Sequence, residues 1–438
     1  MSERGDKLRR IKSVLAEVIS EITPDRLEHR FAMANAEAFI EALNRELKRR
    51  KTKARAVLGG SFAKGSWLKG DYDIDIFVKF KQGYSDAEMS QLLGLALKQL
   101  ARPFKVAIER VHGSRDYFKA KGKVNFEIVP VLDIRTPAEA KNVTDFSPWH
   151  VRWVKRYGKN LKADILLTKQ FLKANGVYGA ESYIKGFSGH VVDILVIHYK
   201  GFLGLLKAAA SWPTTPDNKV VIDHDRVYKG KALFMMNKSK IQGPLIVVDP
   251  VQPQRNAAAS LSFENYLKFV YAAREFLQRP SKDFFVPKMP DFASLAKKGT
   301  VLMLEVEPVE GISEVVGTKL LKAFEFVKKG LEDFGIVEAG WNWDAKADKN
   351  KKHALFWFVL KQKILPEKMA VKGPPASREP YATTFKKAHR KVFERNGWLW
   401  AEVKRPFTKP VEAVHGILKN EWLRGKIKKA RLLRNKIN

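Results

Sequence analysis

Two aspartates two residues apart, Asp73 and Asp75, begin an apolar, β-branched run in this 438-residue chain. Side chains of a strand alternate between its faces, so both carboxylates are expected on one face, with Ile74 and Ile76 on the core face. Like charges this close destabilise a fold unless a cation lies between them. Mg²⁺ takes oxygen ligands and leaves coordination positions for substrate phosphates. The pair therefore predicts a magnesium site.

A glycine-serine turn precedes the aspartates, where Gly60 and Ser61 end a short apolar run that begins at Val57. Glycine lets the backbone approach an anion because it has no Cβ, and Ser61 adds a hydroxyl at an expected helix N-terminus. A phosphate-binding turn followed by a metal-binding strand indicates nucleotide chemistry. The plainer alternative is a surface strand with two solvated aspartates after an ordinary glycine turn.

A third acid, Glu127, lies among apolar residues in a strand predicted over residues 124–134. An unpaired buried carboxylate is costly, so Glu127 is predicted as a third metal ligand or as the ion-pair partner of a nearby lysine. Residues 104–111 are predicted as a neighbouring strand. The basic stretch 112–123 between the two strands is predicted as a turn.

Further elements must position these groups. Apolar residues at helical spacing predict helices over 25–50 and 261–276, and Ser85 is a plausible N-cap for another that ends near Leu100. His150 lies just inside a helix after a proline turn, where a histidine more often caps or packs than binds a ligand. Beyond residue 290 the pattern predicts the order strand, helix, strand, strand, which is typical of a small antiparallel α+β domain.

The composition limits the partners. Lysine and arginine number 81 against 47 acids, a formal net charge of +34, which indicates a polyanion such as nucleic acid. The absence of cysteine excludes disulfides and thiolate zinc sites. The sequence contains neither a membrane-length apolar run nor a signal-peptide pattern at MSERGDKLRR, so a cytoplasmic protein is expected.

The glycine-serine turn and the Asp-x-Asp strand together resemble the nucleotidyltransferase superfamily of polymerase β type. A longer string, FLKANGVYGAE followed by GFSG, resembles the archaeal class I CCA-adding enzymes, which are tRNA nucleotidyltransferases. WLKG before the aspartates and VVDP before Arg255-Asn256 extend the match, which covers roughly residues 30 to 290. Beyond that range the family is recognisable only in outline, through NGWLWAEVKRPFTKPVEAV.

The resemblance implies an α+β multidomain fold. Its expected parts are a nucleotidyltransferase palm with a mixed sheet, a helical central domain, an RNA-recognition-motif-like C-terminal domain and a basic tail. The expected boundaries are 1–150 for the catalytic domain, 151–282 for the central domain, 283–372 for the body and 373–438 for the tail.

The resemblance also implies roles for particular residues. Asp73 and Asp75 would hold two Mg²⁺ ions and Glu127 would join one of them, although relatives normally have aspartate at that position. The remaining expected nucleotide contacts are Gly60, Ser61, Lys64, Lys169 and Tyr178 at the triphosphate, His150 at the triphosphate or sugar, and Arg255 at the base edge. The implied reaction is template-independent addition or repair of the 3′-terminal CCA of tRNA from CTP and ATP.

Two other functions remain open on the sequence. One is a related polymerase that adds poly(A) or another oligonucleotide to a different RNA. The other is a catalytically silent RNA-binding paralogue, in which Glu127 marks the loss of activity. Eight basic residues between Lys419 and Lys436 against the single acid Glu421 favour phosphate contacts by the tail. A homodimer is compatible with the sequence, which leaves the oligomeric state open.

Overall fold

The computed structural model describes residues 3–344 and 353–433. The chain divides into two compact units, Met1–Lys288 and Met289–Asn438, and the division falls in a segment rich in proline and lysine. The predicted domain boundaries after residues 150, 282 and 372 stay predictions. No helix in the described part of the chain is long and apolar enough to cross a membrane.

The first unit opens with two long helices and a five-stranded sheet. Their bounds are α1 Glu3–Ile22, α2 Arg26–Arg49, β1 Ala54–Leu58, α3 Gly60–Lys64, β2 Asp73–Phe80, α4 Asp86–Ala101, β3 Ala107–Val111, β4 Tyr117–Lys121 and β5 Asn125–Leu132. The strand order is β1-β2-β5-β4-β3. Strands β2 and β5 are parallel and the other pairs are antiparallel, so the predicted mixed sheet is confirmed.

The predicted helices form where the capping residues indicate. The side chain of Asp25 accepts from the backbone N–H of Glu28 at the start of α2. Ser85 and Glu88 form a reciprocal capping box at the start of α4. Both helices pack on the sheet face that carries Ile74 and Ile76, which are completely buried. The opposite face is therefore left for the aspartates.

The predicted turn over residues 112–123 is wrong in its second half, because β4 lies there. Phe118 and Ala120 are buried and alternate with more exposed residues, as in a half-buried strand. The flanking lysines concealed this alternation in the sequence. Strand β4 pairs with β5 and places Lys119 opposite Glu127.

The rest of the first unit is mainly helical. Its elements are α5 Ser147–Tyr157, α6 Lys162–Ala174, α7 Gly189–His198, α8 Phe202–Ala210, β6 Val220–Ile222, α9 Ala232–Met235, β7 Leu245–Val247 and α10 Phe263–Gln278. Phe171 of α6 lies at the centre of an aromatic core and packs edge-to-face against Phe202, Phe269 and Phe276. This core fixes the helices that face the sheet.

The second unit contains two antiparallel sheets. Its elements are α11 Phe292–Lys298, β8 Thr300–Pro308, α12 Ser313–Gly330, β9 Ile336–Asn342, β10 Ala354–Leu360, β11 Lys368–Pro375, α13 Tyr381–Ala388, β12 Val392–Arg395, β13 Trp398–Lys404, α14 Pro410–Leu418, α15 Glu421–Arg424 and β14 Ile427–Leu432. The sheet orders are β14-β8-β10-β9 and β11-β13-β12.

The first of these sheets has the predicted RNA-recognition-motif-like arrangement, and the basic tail supplies its edge strand. Strand β14 pairs with β8, and two of its basic residues, Lys428 and Arg431, form ion pairs with Glu307 and Glu305. These two cations therefore contribute to the sheet as well as to the surface charge. The tail residues 434–438 lie outside the described part of the chain.

Candidate active site

Two neighbouring strands bring the three predicted acids to one face of the first sheet. Asp75 of β2 lies in register with Glu127 of β5, and Asp73 lies in register with Asn125. Asn125 Nδ2 donates to Asp73 Oδ1 at 3.2 Å. The carboxylates therefore share the face opposite the buried core, as the alternation predicted.

The electrostatics of this face favour a cation. Burial, and then the neighbouring charges of Glu127 and Asp73, raise the pKa of Asp75 to about 7, although Lys64 opposes the shift. Burial and the charge of Asp73 also raise the pKa of Glu127, opposed by Lys119. A bound divalent ion would relieve this repulsion, so the donor set fits Mg²⁺.

Glu127 has a neighbour that sequence reasoning did not identify. Lys119 Nζ lies 3.8 Å from Glu127 Oε2, and the Glu127 side chain is 41% exposed. The ion-pair alternative for Glu127 therefore describes a real contact. That contact is long and solvated, which makes it weak.

Gly60 is fitted to Asp75. A Cβ at this position would lie 1.5 Å from Asp75 Oδ2, and the residue has φ +50°, a conformation that favours glycine. The nearby backbone of Ser61 opposes the rise in the pKa of Asp75. The missing side chain of Gly60 therefore lets the backbone lie close to the Asp75 carboxylate.

Lys64, at the end of α3, forms a buried ion pair that the sequence did not reveal. Its Nζ lies 2.6 Å from Oδ2 of Asp193 on α7, and Asp193 is completely buried. Among the described residues, the second Asp193 oxygen has no hydrogen-bond partner. The pair therefore holds a lysine beside the acids.

A cavity of 420 Å³ opens beside these groups. Its lining includes Gly60, Lys64, Asp75, Glu127, His150 and His190. A space of this size suits a nucleotide-sized ligand.

Three of the predicted triphosphate contacts, Ser61, Lys169 and Tyr178, lie outside this lining. Lys169 is buried and its Nζ donates to the carbonyl of Ser66 at 2.7 Å, and burial lowers its pKa to about 8. Burial also raises the pKa of Tyr178, whose ring lies 5.5 Å from Lys173 Nζ. The structure thus places Lys169 and Tyr178 in the packing behind the cavity wall.

His150 and Arg255 meet at a buried carboxylate, Asp249. His150 Nε2 lies 3.0 Å from Asp249 Oδ1, and an Arg255 Nη1 donor lies 3.0 Å from Oδ2. His190 Nε2 lies 3.4 Å from Oδ2. In the described part of the chain, His150, His190 and Asp249 form a group that could hold a metal ion, because their potential ligand atoms all lie within 4.8 Å of one another. The three described acids Asp73, Asp75 and Glu127 do not form such a group.

Sequence reasoning missed Asp193, Asp249 and His190. The sequence carried a signal for the two acids. Asp193 interrupts the apolar run GHVVDILVIH, and Asp249 follows the apolar run LIVV. The argument applied to Glu127 applies equally to them, since a buried carboxylate requires partners.

Two family models match the first unit. The nucleotidyltransferase domain matches residues 40–150, and the second domain of tRNA nucleotidyltransferase matches residues 163–286. The first match includes all three acids, and the second includes Lys169, Tyr178, Asp249 and Arg255.

Several curated relatives are similar over most of the chain. The CCA-adding enzyme of Nanoarchaeum equitans is 34% identical over 80% of this chain and 84% of its own length. Those of Methanocaldococcus jannaschii and Archaeoglobus fulgidus are 30% and 29% identical, each over 94% of this chain, and 92% and 91% of their own lengths are covered. A solved cytoplasmic RNA terminal U-transferase matches 64% of this chain and all of its own, with a TM-score of 0.49 and 16% identity, a likeness too weak to bear on function.

Proposed function

Because this chain belongs to the family of CCA-adding enzymes, we propose that its acidic site joins CTP and ATP to the 3′ end of tRNA. The predicted family, fold class and enzyme class are confirmed by the relatives and the family models. The chain is a tRNA nucleotidyltransferase that adds the CCA end. The two alternative functions weighed on the sequence are not favoured.

Asp73, Asp75 and Glu127 are the proposed ligands for two Mg²⁺ ions. Ions held by these three carboxylates would supply Lewis-acid activation of the 3′ hydroxyl that attacks the α-phosphate and positive charge for the departing pyrophosphate. The observation that carries this assignment is the register of Asp75 with Glu127, with Asp73 two residues before Asp75 on the same face. The raised pKa of Asp75, about 7, supports it, since the protein holds carboxylates together at a cost in stability.

The triphosphate is assigned to Gly60, Ser61 and Lys64, beside the acids. Lys64 offers a compact ammonium that its buried partner Asp193 holds at the cavity. Lys169 and Tyr178 are proposed to support this wall from behind, and contact with the triphosphate requires Lys169 to release the carbonyl of Ser66.

The base and sugar are assigned to Arg255 and His150. A guanidinium presents a planar donor fork that suits acceptors shared by cytosine and adenine. Because protein side chains and the RNA select the base, the reaction needs no nucleic-acid template. The homodimer and the cytoplasmic location stay predictions.

One assay tests the proposed function. The purified chain is incubated with Mg²⁺ and tRNA that lacks its terminal CCA, with labelled CTP, labelled ATP or both. We expect two cytidines with CTP alone and completion by one adenosine with both nucleotides. A long adenosine tract with ATP alone would indicate a poly(A)-type polymerase, and no incorporation with intact tRNA binding would indicate a silent paralogue.

A further inference from the structure

The Asp249 carboxylate gathers contacts from three separate segments of the first unit. It is completely buried and follows strand β7. Oδ1 accepts from His150 Nε2 at 3.0 Å and from the backbone N–H groups of Val251 at 2.9 Å and Gln252 at 3.2 Å. Oδ2 accepts from Arg255 at 3.0 Å. A buried carboxylate with this many donors is held in one orientation.

The charge of this group is balanced inside the protein. Burial by itself raises the pKa of Asp249, but hydrogen bonding from His150 and the proximity of His190 bring it well below its usual range. Burial lowers the pKa of His190 to about 4, so this imidazole is neutral at physiological pH. The Arg255 cation therefore faces an ionised Asp249.

Two neighbours of Asp249 line the cavity in which a nucleotide is expected. His150 on α5 and His190 on α7 both line the cavity beside the acids, and their ring centroids are 3.9 Å apart. The Arg255 side chain is 47% exposed although its Nη1 is bound to Asp249. Its remaining donors are thus accessible while one edge of the guanidinium is fixed.

We propose that Asp249 is a positioning residue for nucleotide selection, which holds His150 and Arg255 in one fixed geometry. This inference rests on the proposed function, in which His150 and Arg255 contact the incoming nucleotide. Anchoring an arginine before binding reduces the entropy lost when its fork pairs with a base. It also places sugar and base contacts in one rigid group, so a misfitting base is not accommodated by rotation of the guanidinium.

A transition-metal site formed by His150, His190 and Asp249 is the competing interpretation of the same cluster. Both ring nitrogens of His190 lack a hydrogen-bond partner in the described structure, as a metal ligand would without its ion. The positioning role is favoured because Asp249 already accepts from a guanidinium cation, which a divalent ion bound to the same carboxylate would oppose.

The first test compares the variant Asp249→Asn with a matched control variant, Asp164→Asn. Asp164 is a partly buried aspartate of the same unit that accepts from the backbone N–H of Phe202 at 2.8 Å. We expect Asp249→Asn to raise the KM for CTP and ATP about tenfold and to increase incorporation of UTP and GTP. The KM for tRNA should stay at the wild-type value in Asp249→Asn. The control, Asp164→Asn, should melt at the wild-type temperature. Unchanged nucleotide KM and selectivity in a folded Asp249→Asn enzyme would overturn the proposal.

The second test separates positioning from a purely structural role. If Asp249 acts through Arg255, Asp249→Asn should add less than about twofold to the KM when Arg255 is already alanine. Full multiplication of the two effects would contradict the proposal. If Arg255→Ala and His150→Gln each leave nucleotide KM unchanged, the assignment of these contacts under the proposed function fails instead.

A third measurement covers the case in which Asp249→Asn does not fold. His150→Gln alone should then relax base selectivity, because loss of the imidazole loosens the carboxylate that orients Arg255. If the effect of His150→Gln is confined to its own position, selectivity stays unchanged and the proposal is overturned.

The metal content of the wild-type enzyme is measured after dialysis against Zn²⁺. If the wild type retains one equivalent of zinc that His190→Ala loses, the cluster is a metal site and the positioning role is wrong. If the wild type retains no zinc, the positioning role is supported.

Discussion

Asp75 and Glu127 occupy the same register position on the parallel strands β2 and β5, so their side chains leave the sheet beside each other. Residues that are 52 positions apart in the chain thus form one acidic surface because the sheet pairs these two strands. The raised pKa of Asp75, about 7, is the electrostatic consequence.

Metal affinity should depend on pH through Asp75. Its pKa of about 7 in the absence of metal means that a proton competes with the ion near neutrality. We therefore expect Mg²⁺ affinity to rise as the pH increases from about 6 to about 8, measured by calorimetric titration. Asp75→Asn should remove both this dependence and nucleotide transfer while leaving tRNA affinity near the wild-type value. An affinity that does not change over this range would contradict the assignment of Asp75 as a ligand.

The same carboxyl should destabilise the metal-free fold at neutral pH. The folded pKa of Asp75, about 7, lies above the ordinary aspartate value of 3.8, so the folded state binds the proton more tightly than the unfolded state does. The contribution of this group to stability therefore decreases as the pH rises between these values. Asp75→Asn should therefore melt above wild type at neutral pH in the presence of a chelator. The difference should shrink toward about pH 4, and a difference that is constant with pH would argue against this cause.

Gly60→Ala should inactivate the enzyme, because its Cβ would lie 1.5 Å from Asp75 Oδ2. The matched control is Gly230→Ala, a glycine that also has positive φ, +84°, but has no atom within 4 Å of the added Cβ. Both variants carry the backbone strain of about 1 kcal/mol, so they should lose similar stability from that source. Initial rates and thermal melts distinguish them, and equal activity in both variants would show that Gly60 is not fitted to the acid.

Removing Lys64 should expose the cost of its buried partner. Lys64→Met leaves Asp193 buried without its cation, which is expected to cost about 3–5 kcal/mol of unfolding free energy. The double variant Lys64→Met/Asp193→Leu should recover most of that stability, as judged by denaturant unfolding. Because the ammonium is still missing, its KM for CTP should remain high, and restored nucleotide affinity would remove Lys64 from the triphosphate contacts.

Glu127 should act through its charge. Glu127→Gln keeps the shape but loses the anion, and we expect turnover to fall by about a hundredfold or more. Glu127→Asp keeps the anion while withdrawing it by one methylene, so its loss should be smaller. A wild type that is inactive and is revived by Glu127→Asp would instead indicate a silent paralogue, whereas equal losses in both variants would exclude a role for the charge.

Local sequence determined much of this protein. The alternation around Asp73 and Asp75 indicated which face carries the acids, since the period of a strand is a property of the backbone. Ser85 indicated where one helix begins, because a cap acts on N–H groups within its own turn. The strings FLKANGVYGAE and GFSG indicate the family by themselves.

Tertiary structure decided which residues meet. His150 and Asp249 are 99 positions apart and Lys64 and Asp193 are 129 apart, and no local periodicity encodes either contact. Strand β4 was hidden by its lysines, and β14 was hidden in a basic tail, because a strand is stabilised by the strands with which it pairs and not by its own composition alone. The sequence could therefore supply the chemical groups, whereas only the folded chain could select their partners.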